Sequence, residues 1–384
     1  YNDHMRINCL QLEHFRSYNS LDLNFSKDDI CIFVGENGAG KTNILESISI
    51  LSLLRSCIGA DEKDLVNWGK GHYRIRGAVK ADSGEEKQLE VVSQQEPRIQ
   101  KACFENDVKV SVEHMIGLFP TVVFLPQDLQ LFTGAPAQRR KFLDRLLSQV
   151  SPEYLSQILQ YQKVLKQRNS LLKRIAEGKA QDSELDLWDD QLALLAAPIT
   201  IARLELIGTL QLTFPEEMRS LGEKTWSDIK LSYARKGEAT NEAELRLEYR
   251  LILLNNRKRD CILQSTSVGP HREDWHVLVD GRSVDTFASR GQQRTSLLAL
   301  LLLQVSYLEL RCGEKPLILL DDVFSELDDS HQKCLLQSLR GYQVFMTTTK
   351  IPHGIENINC MKVEKGGKVL MNDQKPELKE TIKA

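Results

Sequence analysis

The stretch GENGAGKT, residues 35–42, decides the fold because it fits the phosphate-binding pattern G-x-x-x-x-G-K-[ST]. It follows the apolar run ICIFV at 30–34, which is typical of a buried strand. It precedes ILESISILSLL at 44–54, whose apolar spacing predicts an amphipathic helix. A strand, a glycine loop and a helix in this order are the context that the pattern requires. The sequence therefore predicts a loop that holds a nucleoside triphosphate.

The chemistry of the pattern assigns parts to its residues. Glycines let backbone amides face the phosphates, Lys41 reaches the outer phosphates, and the Thr42 hydroxyl coordinates Mg²⁺. The alternative is a glycine-rich turn that binds nothing. The predicted nucleotide-binding residues are Gly35, Glu36, Asn37, Gly38, Ala39, Gly40, Lys41 and Thr42.

A second motif, LILLDD at 317–322, supplies the carboxylate that such a magnesium ion needs. Asp321 is the expected Mg²⁺ ligand, and Asp322 is expected to orient or deprotonate the attacking water. The alternative is that both acids only end a strand and cap the next helix. Lys41 and Asp321 lie 280 positions apart. This spacing, with no N-K-x-D motif in the chain, argues against a small GTPase or a nucleoside kinase.

Composition limits the class of protein. The 384 residues are 41% hydrophobic and 27% charged, which predicts a folded globular chain, and the net charge of −3 gives no overall attraction to polyanions. Eight cysteines occur singly, without a C-x-x-C pair or a nearby His-x-x-x-His, so we expect neither a zinc site nor disulfides. No export signal is visible, and we expect a cytoplasmic protein. The apolar run at 297–303 is shorter than the about 18 residues of a membrane span, so we expect a buried helix and no membrane contact.

The order of patterns predicts an α/β protein with a helical insertion. Strand-like runs, with turn residues at 26–29 and an antiparallel meander between Tyr73 and Val112, dominate the first part of the chain. Helical spacing dominates from Pro152 to Arg259, after which strands return with a hairpin around Asp280-Gly281. We expect a head of residues 1–150 and 265–384, built on a mixed parallel sheet plus the meander, and a helical insertion of residues 151–264.

Several further motifs carry a resemblance to a known family. They are FRSY at 15–18, LPQDLQLFTGAPAQRRKFLD at 125–144, SVGPHREDW at 267–275, SRGQQR at 289–294, LLDDVFSELD at 319–328 and QVFMTTT at 343–349. SRGQQR, the apolar helix after it and LLDDVFSELD resemble the signature helix, second acidic motif and D-loop of ATP-binding-cassette (ABC) ATPases of the SMC type. The complete ordered set resembles the RecF family of DNA repair ATPases. The resemblance implies a P-loop ABC-type ATPase head, with ATP and Mg²⁺ as cofactors.

The resemblance also implies a site that two subunits share. In ABC ATPases two heads close face to face on two ATP molecules. Ser289 and Gly291 would then contact the γ-phosphate held by the partner subunit, and Arg290 and Gln292 would support that loop. An ATP-dependent homodimer that opens on loss of the γ-phosphate is expected. The alternative for this segment is an ordinary helix start capped by Ser289.

Three more residues match functional positions of the family. Gln127 matches the Q-loop residue that senses Mg²⁺ and the attacking water, and Asp328 matches the D-loop acid that faces the opposite head. Arg16 matches a basic residue that approaches the nucleotide phosphates. Each of the three fits a surface polar residue in a loop as an alternative. The expected catalytic residues are Asp322, Gln127 and Lys41.

Two departures from the wider ABC pattern bear on the rate of hydrolysis. Asp322 stands where transporters have a glutamate, and Thr347 to Thr349 stand where they have a histidine; the RecF family shares both features. A shorter acid and a hydroxyl should align water less well, so we predict slow hydrolysis. The resemblance implies a weak, DNA-stimulated ATPase.

Basic side chains cluster in segments that offer contacts to DNA phosphates. Taken alone, each cluster fits a solvated helix face equally well. The resemblance favours duplex DNA near single-strand gaps or junctions, RecR-type and RecO-type mediator partners, and roles in replication, recombinational repair and the SOS response to DNA damage. The expected DNA contacts are Arg139, Arg140, Lys141, Lys163, Lys166, Arg168, Lys173 and Arg174.

Two rival functions stay open. One is a nucleotide-binding subunit that docks a membrane transporter, and the other is a scaffold that binds ATP without turnover. His271 and Arg272, in GPHRED, have no nucleophile within the motif. For them we expect a structural or interhead role rather than catalysis.

Overall fold

The computed structural model describes residues 3–4, 6–25, 30–80, 84–325, 327–350 and 358–371, so the turn predicted at 26–29 lies outside it. In chain order the described strands are β1 (Asp3–His4), β2 (Arg6–Phe15), β3 (Tyr18–Asn24), β4 (Ile30–Val34), β5 (His72–Lys80), β6 (Glu86–Gln94), β7 (Gln100–Glu105), β8 (Val108–Val110), β9 (Thr121–Phe124), β10 (Ile229–Ala234), β11 (Asp274–Val279), β12 (Arg282–Ser283), β13 (Glu314–Lys315), β14 (Leu317–Asp321), β15 (Val344–Thr348), β16 (Ile358–Glu364) and β17 (Lys368–Met371). The helices are α1 (Lys41–Leu53), α2 (Val112–Met115), α3 (Pro136–Val150), α4 (Pro152–Ala176), α5 (Leu185–Ser220), α6 (Glu242–Leu263), α7 (Val284–Phe287), α8 (Arg290–Cys312) and α9 (Asp329–Ser338).

The chain forms two compact units, and their boundaries differ from the predicted ones. The first unit contains residues 1–126 and 312–384, and the second contains residues 127–311. Residues 127–150 and 265–311, which the sequence patterns assign to the head, therefore group with the helical part. The reason is packing that composition does not reveal: α3 packs on α4, α5 and β11.

A mostly parallel sheet organises the first unit, in the order β17-β16-β4-β15-β14-β9. Within it β16, β4, β15, β14 and β9 run parallel, and β17 pairs antiparallel with β16. The residues of β14 and β15 are buried throughout, as expected for apolar runs covered on both faces. Because β4 and β14 both pair with β15, the loops that follow them leave the same edge of the sheet.

An antiparallel sheet completes the first unit, in the order β3-β2-β5-β6-β7-β8. The strands β5 to β8 pair successively, which confirms the predicted meander. Helix α1 contributes Ile44, Ile48 and Leu51 to a core that also contains Ile75 of this sheet and Phe345 of the parallel sheet. This packing fixes α1, and with it the loop at its first residue.

The second unit is mainly helical. Helices α4, α5 and α6 pack on one another beside a small sheet ordered β10-β11-β12. The predicted hairpin is confirmed: β11 and β12 pair antiparallel around Asp280 and Gly281, whose φ angles of 50° and 76° suit a tight turn.

Two of the described helices are apolar enough, by length and composition alone, to cross a membrane. They cover Asp182–Ser220 and Arg290–Cys312, and 50% and 72% of their most apolar windows are buried within the protein. The run from Leu297 to Leu303 is buried throughout, which confirms the expected buried helix.

Candidate functional site

The glycine loop lies between β4 and α1, as the sequence predicts. A Cβ atom at residue 35 would lie 2.2 Å from the Val363 carbonyl oxygen, so only glycine fits there. Gly40, the N-cap of α1, has a φ of 105°, a conformation that favours glycine. The backbone amides of Lys41 and Thr42 stand at the N-terminus of α1, where amides can donate hydrogen bonds to phosphate oxygens, whereas the Asn43 amide donates to the Gly40 carbonyl at 3.1 Å.

Lys41 reaches back across this loop. Its ammonium donates hydrogen bonds to the carbonyl oxygens of Gly35, at 2.8 Å, and Glu36, at 2.9 Å. Burial lowers the pKa of Lys41 below its ordinary value, while the nearby Asp322 and Asp321 oppose that shift. The loop therefore holds a cationic group at the position that the phosphate-binding pattern assigns to it.

Thr42 and Asp321 meet although they are far apart in sequence. The Thr42 hydroxyl lies 2.9 Å from Oδ1 and 3.0 Å from Oδ2 of Asp321, which is buried. Neighbouring oxygen ligands of an octahedral Mg²⁺ are separated by about 2.9 Å, because each lies about 2.1 Å from the ion. The separation of the hydroxyl and the carboxylate is therefore compatible with two adjacent positions around a magnesium ion, and their role as ligands stays a prediction.

Thr347 connects the two acids, a role that its sequence motif does not predict. Its hydroxyl donates a hydrogen bond to Asp321 Oδ1 at 2.6 Å and accepts one from the Asp322 backbone N–H at 3.0 Å. Asp322 itself has a left-handed φ of 46°, which is costly for a residue other than glycine. The pairing of Thr347 with Asp321 across β15 and β14 is the signal that could have identified it.

The orientation of the Arg16 side chain is fixed by hydrogen bonds from its guanidinium group. Its Nε and Nη2 donate to the two carboxylate oxygens of Glu46 at 2.7 and 2.8 Å, and Nη1 donates to the Asp64 carbonyl at 2.9 Å. The hydrogen bond to Glu46 raises the pKa of Arg16. Glu46, which lies on α1 and is fully buried, is a partner that the sequence analysis missed. A contact between Arg16 and a nucleotide phosphate stays a prediction. It requires Arg16 to give up at least one of its hydrogen bonds to Glu46 or to the Asp64 carbonyl.

Asp328 caps the helix that follows the second acidic motif. Its carboxylate accepts hydrogen bonds from the Ser330 hydroxyl at 2.6 Å and from the His331 backbone N–H at 2.9 Å, and these bonds hold its pKa well below the ordinary range. The residue is exposed. Its predicted contact with an opposite head therefore stays a prediction.

Gln127 and the segment 289–292 belong to the second unit. Gln127 is exposed in the 3₁₀ turn Pro126–Leu131, directly after β9. Ser289 accepts a hydrogen bond from the Gln292 backbone N–H at 3.2 Å, and the Gln292 side chain accepts one from the Ser289 N–H at 3.1 Å. This reciprocal cap fixes the start of α8 and leaves Ser289, Arg290 and Gly291 exposed.

Two of the predicted DNA contacts are wrong, because both side chains are buried. Arg139 pairs with Asp274 at 2.7 Å and donates to three backbone carbonyls. Arg168 is fully buried and pairs with Asp189 and Asp260, each at 2.7 Å. Both arginines join elements of the second unit and are not available to DNA.

The remaining basic residues divide by exposure. Arg140 is half-buried and donates to the Glu273 carbonyl at 2.9 Å. The positions 163, 166, 173 and 174 follow helical spacing along one face of α4. The exposed basic residues of the predicted set are Lys141, Lys163, Lys166, Lys173 and Arg174.

His271 lies in a buried polar cluster. Its Nδ1 is 2.7 Å from the Tyr161 hydroxyl and its Nε2 is 3.1 Å from the Thr266 carbonyl oxygen. Burial lowers its pKa to about 4, so the ring is neutral at physiological pH. Both ring nitrogens are occupied by internal partners, which fits the expected structural role.

Comparison with known proteins gives a consistent result along nearly the whole chain. The family described as RecF/RecN/SMC N terminal domain matches residues 6–369. The DNA replication and repair protein RecF of Enterococcus faecalis is 39% identical over 358 residues, which cover 91% of this chain and 93% of that protein. The protein of the same name from Bacillus subtilis is 34% identical over 352 residues, covering 90% and 94%.

Solved structures agree. A structure described as the recombination mediator protein RecF-ATP in the RecFOR pathway has a TM-score of 0.88 and 32% sequence identity, and covers 96% of this chain and 98% of that chain. The Smc head domain of Pyrococcus furiosus has a TM-score of 0.52 at 14% identity and covers 96% of both chains, which shows a shared fold. The predicted ABC-type ATPase head is confirmed.

Proposed function

The chain belongs to the RecF family of DNA replication and repair proteins, and from this premise we propose that it is an ATPase that dimerises on ATP and binds duplex DNA beside single-strand gaps or junctions. The observation that carries the proposal is the meeting of Thr42 with Asp321, 279 positions apart, at the end of a glycine loop crossed by Lys41. A glycine turn that only reverses the chain would not need a hydroxyl and a carboxylate in contact beside a lysine ammonium.

The residues of the first unit divide the work of hydrolysis. The loop amides and Lys41 bind the β- and γ-phosphates, and Thr42 and Asp321 would hold Mg²⁺. When bound, Mg²⁺ neutralises charge that develops on the phosphate oxygens. Asp322 orients the attacking water and accepts its proton, and Thr347 fixes both acids through one hydroxyl. A role in water positioning for Gln127, which belongs to the second unit, stays a prediction.

ATP is proposed to complete its site with a second copy of the chain. Ser289 and Gly291 are exposed at the start of α8, and a helix N-terminus favours a phosphate group. Arg290 and Gln292 flank them, and Gln292 fixes the turn by its reciprocal hydrogen bond. A γ-phosphate bound on one subunit would attract this turn of the other, and its loss would release the dimer.

DNA is proposed to bind the exposed face of α4. Lys163, Lys166, Lys173 and Arg174 provide contacts to phosphates, which require charge but read no sequence. RecR-type and RecO-type mediators are the proposed partners, because a relative is described as a mediator in the RecFOR pathway. Such a protein would act in the bacterial cytoplasm, where the DNA is. The relatives are repair proteins, which favours this function over the transporter alternative.

Hydrolysis by a Lys41→Met variant tests the proposal. We expect slow ATP turnover by the unaltered chain, stimulated by gapped duplex DNA, and a loss of at least about 100-fold in the variant because a charge facing the phosphates is removed. Lys109→Met, which removes an exposed lysine on β8, is the matched control and should keep the unaltered rate. Equal rates in the two variants would refute the assignment of the glycine loop.

A further inference from the structure

Glu13, His14 and His72 converge at the end of β2 and the start of β5, and His14 lies two residues before Arg16 in the chain. One ligand atom from each lies within 4.8 Å of the others. His72 Nε2 is 3.4 Å from Glu13 Oε1, and His14 Nδ1 is 3.9 Å from the same oxygen. We propose that these three side chains form a binding site for one divalent transition-metal ion, with Zn²⁺ as the best match.

The distances suit a tetrahedral ion. Zinc lies about 2.0 to 2.1 Å from nitrogen and oxygen ligands, so two ligands of a tetrahedral site are separated by about 3.4 Å. The Glu13–His72 pair already has this separation, and the Glu13–His14 pair exceeds it by half an ångström. The His72 side chain is 42% exposed, so its ring is not enclosed by the core. Two imidazoles and one carboxylate also favour zinc over magnesium or calcium, which prefer oxygen ligands.

The backbone at His14 is what brings the side chains together. Neighbouring residues of a regular strand point to opposite faces, so Glu13 and His14 would normally diverge. His14 has a φ of 51°, in the left-handed region that a residue with a side chain adopts at a cost. This conformation interrupts the alternation and lets both side chains reach His72, whose ring lies 4.9 Å from the His14 ring in an edge-on arrangement.

An unpaired nitrogen and an oriented carboxylate mark the site further. His14 Nδ1 is buried and makes no hydrogen bond within the described residues, which leaves a lone pair or a proton unsatisfied. Arg74 Nη1 lies 3.4 Å from the other carboxylate oxygen, Oε2, of Glu13. Such an outer contact orients the carboxylate and leaves Oε1 facing the histidines. The three residues supply three ligands, so a water molecule would take the fourth position.

A zinc site at this position differs from the expectation of none that the cysteine and histidine spacing gives. That spacing reveals only ligands that are close in sequence, whereas His14 and His72 come from two strands 58 positions apart that pair in one sheet. The site is independent of the proposed nucleotide chemistry, and zinc would fasten the β2 end, which leads into Arg16, to β5.

Equilibrium dialysis of the nucleotide-free full chain against buffered Zn²⁺, with metal counted per chain, tests the proposal. The unaltered chain should bind one Zn²⁺ at this site. The His72→Gln variant should bind that ion with at least about tenfold lower affinity, because removing a ligand costs more than removing an outer contact. His114→Gln is the matched control, because His114 contacts Glu105 at 2.6 Å but is not part of the three-ligand group. It should bind zinc as the unaltered chain does.

A second variant keeps the test decisive if His72→Gln alters folding. His14→Asn should also lose the ion, and asparagine tolerates a left-handed φ well. Thermal midpoints of all variants without metal identify any general loss of structure. Zinc binding by both variants at the unaltered level, or an equal loss in His114→Gln, would overturn the proposal.

Discussion

At the scale of single residues, the proposed nucleotide site includes the hydroxyl of Thr347, in the QVFMTTT segment, whose contacts with the two acids the motif alone does not predict. Thr347 donates a hydrogen bond to Asp321, the proposed magnesium ligand, and accepts one from the backbone N–H of Asp322, so one side chain contacts both acids. Where transporters have a histidine, this chain has Thr347 to Thr349, and the first of these residues, Thr347, contacts both acids. The predicted slow turnover is consistent with a hydroxyl that positions acids but carries no charge of its own.

Replacing Thr347 with valine tests this role, because valine has nearly the same shape and suits a strand. A hydrogen bond to a charged group contributes about 1.5 to 3 kcal/mol, so hydrolysis should fall by about 10- to 100-fold while ATP binding changes less. Single-turnover hydrolysis and nucleotide binding, measured on the same protein, check the prediction.

Thr348→Val is the control for that experiment. Its hydroxyl bonds to the Lys350 carbonyl at 2.8 Å instead of to the acids, and the residue is similarly buried. Hydrolysis by this variant should stay near the unaltered rate. If the two variants lose activity equally, the bridging hydroxyl is not the reason for the loss.

At the scale of elements, the sequence predicts strands and helices better than it predicts which charges face solvent. The order of strand, glycine loop and α1 follows from local pattern, and the meander follows from alternation and turn residues. Charge alone assigns Arg139 and Arg168 to a solvated face. Their acidic partners lie 135 and up to 92 positions away, so neither ion pair can be recognised from local sequence.

The two compact units differ from the predicted domain boundaries for a similar reason. Helix α3 follows the first unit closely in the chain, but its Arg139 pairs with Asp274 and accepts, through its carbonyl, a hydrogen bond from the Trp275 indole. These contacts attach α3 to β11 and therefore to the second unit. Composition records the start of the helical region but not the partner on which each helix packs.

The exposed face of α4 carries the element-scale prediction. Replacing Lys163, Lys166 and Lys173 together with alanine should weaken binding to duplex DNA of any sequence. A plot of log affinity against log salt concentration has a negative slope. The magnitude of this slope should decrease by about 0.9 for each DNA phosphate that the variant no longer neutralises. Titrations of labelled duplex at several salt concentrations in the presence of ATP measure both quantities.

A control for the lysine face comes from the same unit. Lys230 is exposed on β10 and pairs with Asp228 at 2.8 Å, so Lys230→Ala removes one charge outside α4. It should leave the salt slope unchanged. An unchanged slope in the triple variant would place the DNA interface elsewhere.

At the scale of the whole molecule, the proposed nucleotide site is divided between two copies of the chain. The glycine loop, Thr42 and Asp321 are assembled within the first unit, whereas Ser289 and Gly291 are exposed at a helix start in the second. Sequence patterns predict both groups of residues because each group is a local motif. Their proposed union in a dimer depends on a second chain, which local patterns do not encode.

The most direct test of the central claim measures molecular mass and DNA binding together. The unaltered chain is sedimented with gapped duplex DNA in the presence of ATP, in the presence of ADP and without nucleotide. We expect a DNA-bound dimer only in the presence of ATP, and mainly monomer in the other two conditions. An Asp322→Asn variant should bind ATP, hydrolyse it more slowly than the unaltered chain does, and keep the dimer closed for longer. A mass that is the same in all three nucleotide conditions, or DNA binding that is equally tight with ADP, would contradict an ATP-gated dimer.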